Sequence, residues 1–352
     1  MTAYVHIGTV KTGSTSIQYL LNRNRSILAK QGFYYPQSMI FLDRHRIIKM
    51  ILEEYIQNSS NSKYTQISQC IKTEKYKILI QNLKKEINLN RDKKILFSDE
   101  GFSWWFSHKE KVKVVRKFFS EIGFTKIIII LYLREFQDFF ISLSSQDIKD
   151  NGIFKTNLLA KENPNINSYD YSYICKNYSE VFGKENIIVR LFDKNEFYQG
   201  DLIKDFLNII NLKWDDNFML PPRTNESLDL LGFELQRRLN LLNLGGYIST
   251  DNKNSLLKFT EKYFHSKTQL LKFQPKKDIL QSYLDYLKES DEWVRKEFFP
   301  HKERLFPKKD LTNYKENYEL KEMKSEYWDK IAEFIADIVK TKNKIISQKI
   351  LK

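Results

Sequence analysis

Apolar residues in this chain fall into a few short, dense runs separated by longer stretches with helical spacing. Residues 3–7, 95–98 and 186–191 read as strands. So does 127–133, an unbroken apolar run too short to span a membrane and suited to a strand covered on both faces. After the first run, Ile17, Leu20 and Leu21 open a helical pattern that continues to about Lys30. Residues 32–36 form a short extended piece. Helical spacing returns over about 44–56, 68–89, 109–122, 136–149 and 169–182, with polar loops near 58–62 and 152–164. Strands alternating with helices predict a parallel sheet with helices on both faces. From about Asn225 onward only helical patterns occur, the last near 316–348. The expected fold class is therefore α/β: a P-loop-like parallel sheet flanked by helices, forming a core over 1–224, with a C-terminal helical extension over 225–352.

The turn between the first strand and its helix carries the most chemistry: Gly8-Thr-Val-Lys11-Thr12-Gly13-Ser14-Thr15-Ser16. A strand that stops at a Gly/Lys/Ser/Thr turn and passes at once into a helix gathers backbone N–H groups and a positive helix end in one place, an anion seat. A nucleotide-hydrolysing loop reads G-x-x-x-x-G-K-[ST]. The spacing from Gly8 to Gly13 fits, but Ser14 stands where that lysine belongs, and the lysine is at position 11. Downstream, the long apolar run ends at Arg134, and Ser142 follows two helical turns into the next helix, with Asp138 and Gln146 on its own face. An arginine there presents a planar donor fork suited to phosphate oxygens. The strand at 95–98 ends in Asp99-Glu100, at the strand edge where open α/β proteins bind ligands.

These segments together resemble the sulfotransferases that use 3′-phosphoadenosine-5′-phosphosulfate (PAPS). HIGTVKTGSTSIQYLL is similar to the 5′-phosphosulfate loop of bacterial members, Ser14 replacing the usual first threonine of a Thr-Thr pair. Weaker echoes at 187–192, 197–207, 225–228 and 297–306 extend the likeness over most of the chain. The resemblance implies that Lys11 neutralises the bridging oxygen of the breaking bond and that residues Thr12, Gly13, Ser14, Thr15 and Ser16 hold the 5′-phosphosulfate. Arg134 and Ser142 would hold the 3′-phosphate, with Arg223 also approaching the nucleotide. The C-terminal helices would pack on the core and shape the acceptor cleft. For the acceptor's proton it offers Glu100, with Asp99 as its neighbour and His45 in Asp43-Arg-His-Arg46 as the other candidate base. The implied reaction moves a sulfuryl group from PAPS to a hydroxyl of a carbohydrate or glycan by in-line displacement, leaving 3′-phosphoadenosine-5′-phosphate (PAP). No metal is required for it, and no Asp-rich or His/Cys spacing calls for one.

Composition narrows the alternatives. An apolar fraction of 41% with 14% aromatics in 352 residues supports a sizeable core. The net charge of +14 raises nucleic-acid binding, yet lysines interleave with glutamates and no DNA- or RNA-binding module is present. A polyanionic donor and an acidic acceptor account for part of the charge. The basic tail beyond Lys340 could touch an anionic membrane surface, although a solvated helix end is the plainer reading. Cys70 and Cys175 form no metal or redox spacing. With no leader or membrane span in the pattern, a cytoplasmic protein is expected. Two rivals remain: a nucleotide- or polyanion-binding protein without turnover, and a kinase-like P-loop enzyme.

Overall fold

The computed structural model describes residues 1–59, 66–150, 152, 158–222, 227–265 and 272–350, the last six of these and residue 250 by backbone alone. Along the chain run β1 (Thr2–His6), α1 (Ser14–Arg23), α2 (Arg25–Lys30), β2 (Phe33–Tyr34), α3 (Arg46–Ser59), α4 (Ile67–Cys70), α5 (Glu74–Leu89), β3 (Lys94–Ser98), α6 (Gly101–Trp105), α7 (Lys109–Glu121), β4 (Lys126–Leu133), α8 (Phe136–Lys149), α9 (Tyr171–Phe182), β5 (Ile187–Leu191), α10 (Leu202–Ile209), α11 (Leu230–Leu244), α12 (Thr250–Tyr263), α13 (Lys277–Phe298) and α14 (Ser325–Ile350).

All five strands are parallel, in the order β2-β3-β1-β4-β5. The fold is thus α/β, a parallel sheet flanked by helices with a C-terminal helical region. Alternation on the strands sorts the core into two layers. Ala3, Val5, Ile95, Phe97, Ile129, Leu131 and Leu133 point into one cluster. Tyr4, Leu96, Ile130 and Tyr132 point into the other. Burying each such side chain stabilises by roughly 1.5–3 kcal/mol, so β4, buried on both faces, is the sheet's central investment.

The chain divides into two compact units. One comprises Met1–Glu135, Pro164–Pro222 and Leu287–Pro307 and contains the sheet. The other comprises Phe136–Asn163, Arg223–Tyr286 and Lys308–Lys352, with its own core around Ile148, Leu231, Phe233, Phe264, Phe273 and Phe334. Residues 136–163 group with the C-terminal helices rather than with the sheet.

Three helix boundaries depart from apolar spacing, each for a polar reason. The first helix breaks at Asn24, whose side-chain amide donates to the Leu20 carbonyl (2.8 Å) and competes with the backbone ladder. The stretch expected as one helix over 68–89 splits into α4 and α5. There Glu54 of α3 accepts from the N–H groups of Lys72 and Thr73 and from the Thr73 hydroxyl, drawing that backbone out of the helix. The last helix starts at Ser325 rather than near 316, because Asn317 exchanges both backbone bonds with Gln274. No helix among the described residues is long and apolar enough to cross a membrane.

Candidate functional site

The site forms where β1 ends, and hydrogen bonds beyond the strand build it. Thr9 N–H and Oγ1 both donate to the Tyr132 carbonyl (2.9 and 3.0 Å), and Tyr132 N–H donates to the Gly8 carbonyl (2.6 Å). The turn is thereby stitched to β4, and Arg134, two residues beyond Tyr132, arrives beside it. Its Nη1 donates to the Lys11 carbonyl (2.8 Å) and its guanidinium lies over the Phe192 ring at 5.2 Å. Buried Tyr171 braces the corner by donating its hydroxyl to the Arg134 carbonyl (2.8 Å). On the opposite flank Asp99 N–H donates to the His6 carbonyl, which puts Glu100 against Gly8. A Cβ at Gly8 would lie 2.8 Å from the Glu100 Cβ, and its φ of +98° suits glycine alone. Glu100, the turn and Arg134 thus line up across β3, β1 and β4. After β1 the chain leaves toward β2, and after β4 toward β5, so this is the sheet's topological switch point, the preferred ligand site of open α/β sheets.

Within the turn, Lys11 (φ +63°) and Gly13 (φ +74°) have left-handed backbone. For a lysine this is a strained conformation of the kind that concentrates at binding loops. The Thr12 and Ser14 hydroxyls are spent internally, both donating to the Thr9 carbonyl (2.6 and 3.3 Å), whereas Thr15 is exposed. Ser16 and Ile17 N–H groups close onto the Gly13 carbonyl, the first bonds of α1. The N–H groups of Ser14 and Thr15 precede that ladder, and helix geometry gives them no partner of its own. They sit at the positive end of the helix dipole, where an anion is stabilised.

The acidic flank differs in kind between its two carboxylates. Asp99 is buried, with one oxygen accepting from Gly101 N–H (2.6 Å) at the start of α6. Burial raises its pKa, against the pull of Arg44, Arg46 and Lys49. Glu100 is partly exposed; Arg44 pairs with its Oε1, and Gln18 of α1 donates to its Oε2 (2.7 Å). His45 is fully buried between Tyr35 and Phe97. Its Nε2 donates to the Pro36 carbonyl (3.1 Å) and its Nδ1 accepts from Ser98 N–H (3.3 Å), which defines a neutral imidazole. Burial pushes its pKa down to about 3. Both ring nitrogens are occupied, so His45 is placed to pin the end of β3 and offers no lone pair to an acceptor. His6 is likewise buried and held down at about 3, bonded to Ser98.

Ser142 lies on α8, in the second unit, and Arg223 falls outside the described residues.

No protein-family model matches the chain. An uncharacterised protein of Archaeoglobus fulgidus is 27% identical over 147 residues, 40% of this chain. The match spans only 38% of that relative's length. Among solved structures, the chain is similar to a sulfotransferase from Alicyclobacillus acidocaldarius at a TM-score of 0.34 and 16% identity, over 68% of this chain and 94% of that one. A likeness this loose carries no residue roles across.

Three participants had no signal in the sequence: Arg44, Gln18 and Tyr171. Each acts through a partner far along the chain, a pairing that neither motif nor periodicity announces. Chemically, the assembled corner offers an anion seat, a lysine on the turn, an arginine fork and a carboxylate within one strand spacing of the turn.

Proposed function

We propose that this chain is a PAPS-dependent sulfotransferase acting on a hydroxyl of a carbohydrate or glycan. The observation that supports this reading is the Arg134–Lys11 link at the switch point. It joins an anion-binding turn lacking the hydrolase lysine position to the guanidinium suited to a second phosphate. In this reading the N–H groups of residues 12–15 bind the sulfuryl and 5′-phosphate oxygens, and Arg134 takes the 3′-phosphate. Glu100 accepts the acceptor's hydroxyl proton. The acceptor oxygen forms its bond to sulfur as the bond from sulfur to the bridging oxygen breaks. The electron pair stays on the 5′-phosphate of PAP, and Lys11 neutralises the charge building there. His45 is left out of the base role for want of an available nitrogen.

Titration calorimetry in metal-free buffer tests the donor half: PAP should bind well ahead of AMP, and Lys11→Ala should weaken it. Glu100→Gln should keep PAP affinity while lowering turnover by roughly a hundred- to a thousand-fold. PAP and AMP binding alike would overturn the reading.

One observation favours a second reading, a nucleotide-binding protein without turnover: both oxygens of Glu100 are engaged by side chains. Unchanged PAP binding with no transfer to any glycan would select it.

A further inference from the structure

The partner of Glu100 is itself informative. Arg44 closes a two-residue turn in which Phe41 N–H donates to the Arg44 carbonyl (2.8 Å), with Leu42 and Asp43 both at positive φ. Asp43 anchors that turn to α1 through Asn22 and Arg23, and its carbonyl accepts from the Tyr35 hydroxyl (2.8 Å). The turn is therefore built to deliver one guanidinium to Glu100. The pair is only partly solvated, at 21% and 16% side-chain exposure. Two further cations, Arg46 and Lys49, act on the same acidic corner. Around it stand apolar surfaces open to solvent: Leu42 at 73% exposure and Trp105 at 51%, with Lys49 over the Trp105 ring at 4.8 Å.

An acceptor hydroxyl that approaches Oε1 of Glu100 competes with Arg44 for that oxygen. A neutral sugar offers the guanidinium nothing in exchange for a weakened pair with Glu100. An acceptor carrying its own anion beside the reacting hydroxyl repays the loss by becoming the new partner.

We infer that Arg44 is a specificity-determining residue that exchanges its ion pair from Glu100 to an anionic group on the acceptor, so that the preferred acceptor is an acidic sugar. This rests on the sulfuryl-transfer reading. Gln18 keeps Glu100 oriented through Oε2 during the exchange, and the vacated Oε1 receives the hydroxyl proton. The exposed Trp105 face suits the apolar side of a sugar ring.

Competition between Glu100 and the acceptor anion for Arg44 gives a test that needs no knowledge of the natural acceptor. The full chain, with PAP present, is titrated with glucuronate, glucose and inorganic sulfate at constant ionic strength. Glucuronate should bind about tenfold or more ahead of glucose, the scale of one charge-assisted pair. Glu100→Gln removes the internal competitor and should tighten glucuronate further. Arg44→Gln should reduce glucuronate to the level of glucose, and Arg44→Lys, which keeps the charge but loses the fork, should fall between. Glucuronate no better than glucose, or unmoved by Glu100→Gln, overturns the inference. So does sulfate that binds as tightly as glucuronate and is weakened equally by Arg44→Gln, since the site at Arg44 would then recognise an anion and not a sugar acid. PAP affinity, read in the same samples against AMP, reports separately on the donor reading and on whether each variant is folded.

Discussion

At the residue scale, the fold holds His6, His45 and Asp291 far from their ordinary states. His6 and His45 are buried neutral, each held down at about 3. Asp291 is pushed up to about 7 by burial and by Glu135 and Asp170. Their signs are opposite. Below the ordinary histidine value of 6.5 the unfolded chain takes up protons that the buried imidazoles refuse, so each histidine's contribution is present above that pH and lost as pH falls toward 3. Asp291 keeps a proton in the fold that the unfolded chain releases above 3.8, so its contribution is present at low pH and lost as pH rises toward 7. Between about pH 4.5 and 6, one proton corresponds to about 1.4 kcal/mol per pH unit. Asp291→Asn should therefore make stability climb more steeply with pH than in the parent protein by about that amount. His45→Gln should make it climb less steeply by the same amount. Urea unfolding at several pH values measures both, and parallel curves for all three proteins would refute the assignment. The states of His45 and Asp291 were not legible beforehand, whereas His6 sits within the first apolar run. His45 was a candidate base in the sequence, and only the pairing of its ring with Pro36 and Ser98 shows both nitrogens occupied.

At the scale of elements, the apolar runs located the strands because burial on both faces leaves no room for polar residues, and β4 is the clearest case. Helix ends were harder, since each misread boundary is set by polar bonds that apolar spacing does not carry, such as those of Glu54 between α4 and α5. The strand-to-helix turn after β1 was legible from local residues alone. Its neighbours were less so: Arg134 follows from its place at a strand end, but the Arg44–Glu100 pair joins positions far apart in sequence. Gly8 shows how tightly these parts are fitted. Alanine there would add a Cβ 2.8 Å from Glu100 Cβ on backbone at φ +98°. Gly8→Ala should cost about 1–3 kcal/mol and displace Glu100 from the turn. A urea midpoint unchanged from the parent protein would show that the contact yields easily.

At the scale of the whole molecule, reading the chain as a sheet followed by helices is right in composition and too simple in connectivity. The sheet-bearing unit takes its last piece, Leu287–Pro307, from late in the chain. That piece places Val294, Phe299 and Leu305 in the cluster beneath β1, β3 and β4. Ser290 also accepts from Ser172 N–H (2.9 Å) and donates to Asp170 (2.6 Å) at the start of α9. Nothing in hydrophobic periodicity announces this, because an amphipathic helix looks the same whichever core receives its apolar face. The consequence is testable by dissection. A fragment of residues 1–224 keeps every strand and the whole turn but loses those three buried side chains. At roughly 1.5–3 kcal/mol each, the loss is comparable with the entire stability of an ordinary domain, about 5–15 kcal/mol. The fragment should therefore lack a cooperative thermal transition, although α-helical signal from its local segments survives. Adding residues 287–307 as a separate peptide should restore part of the transition if the missing contacts are the cause. A fragment of 1–224 that melts cooperatively by itself would mean that the sheet closes its core without the returning segment.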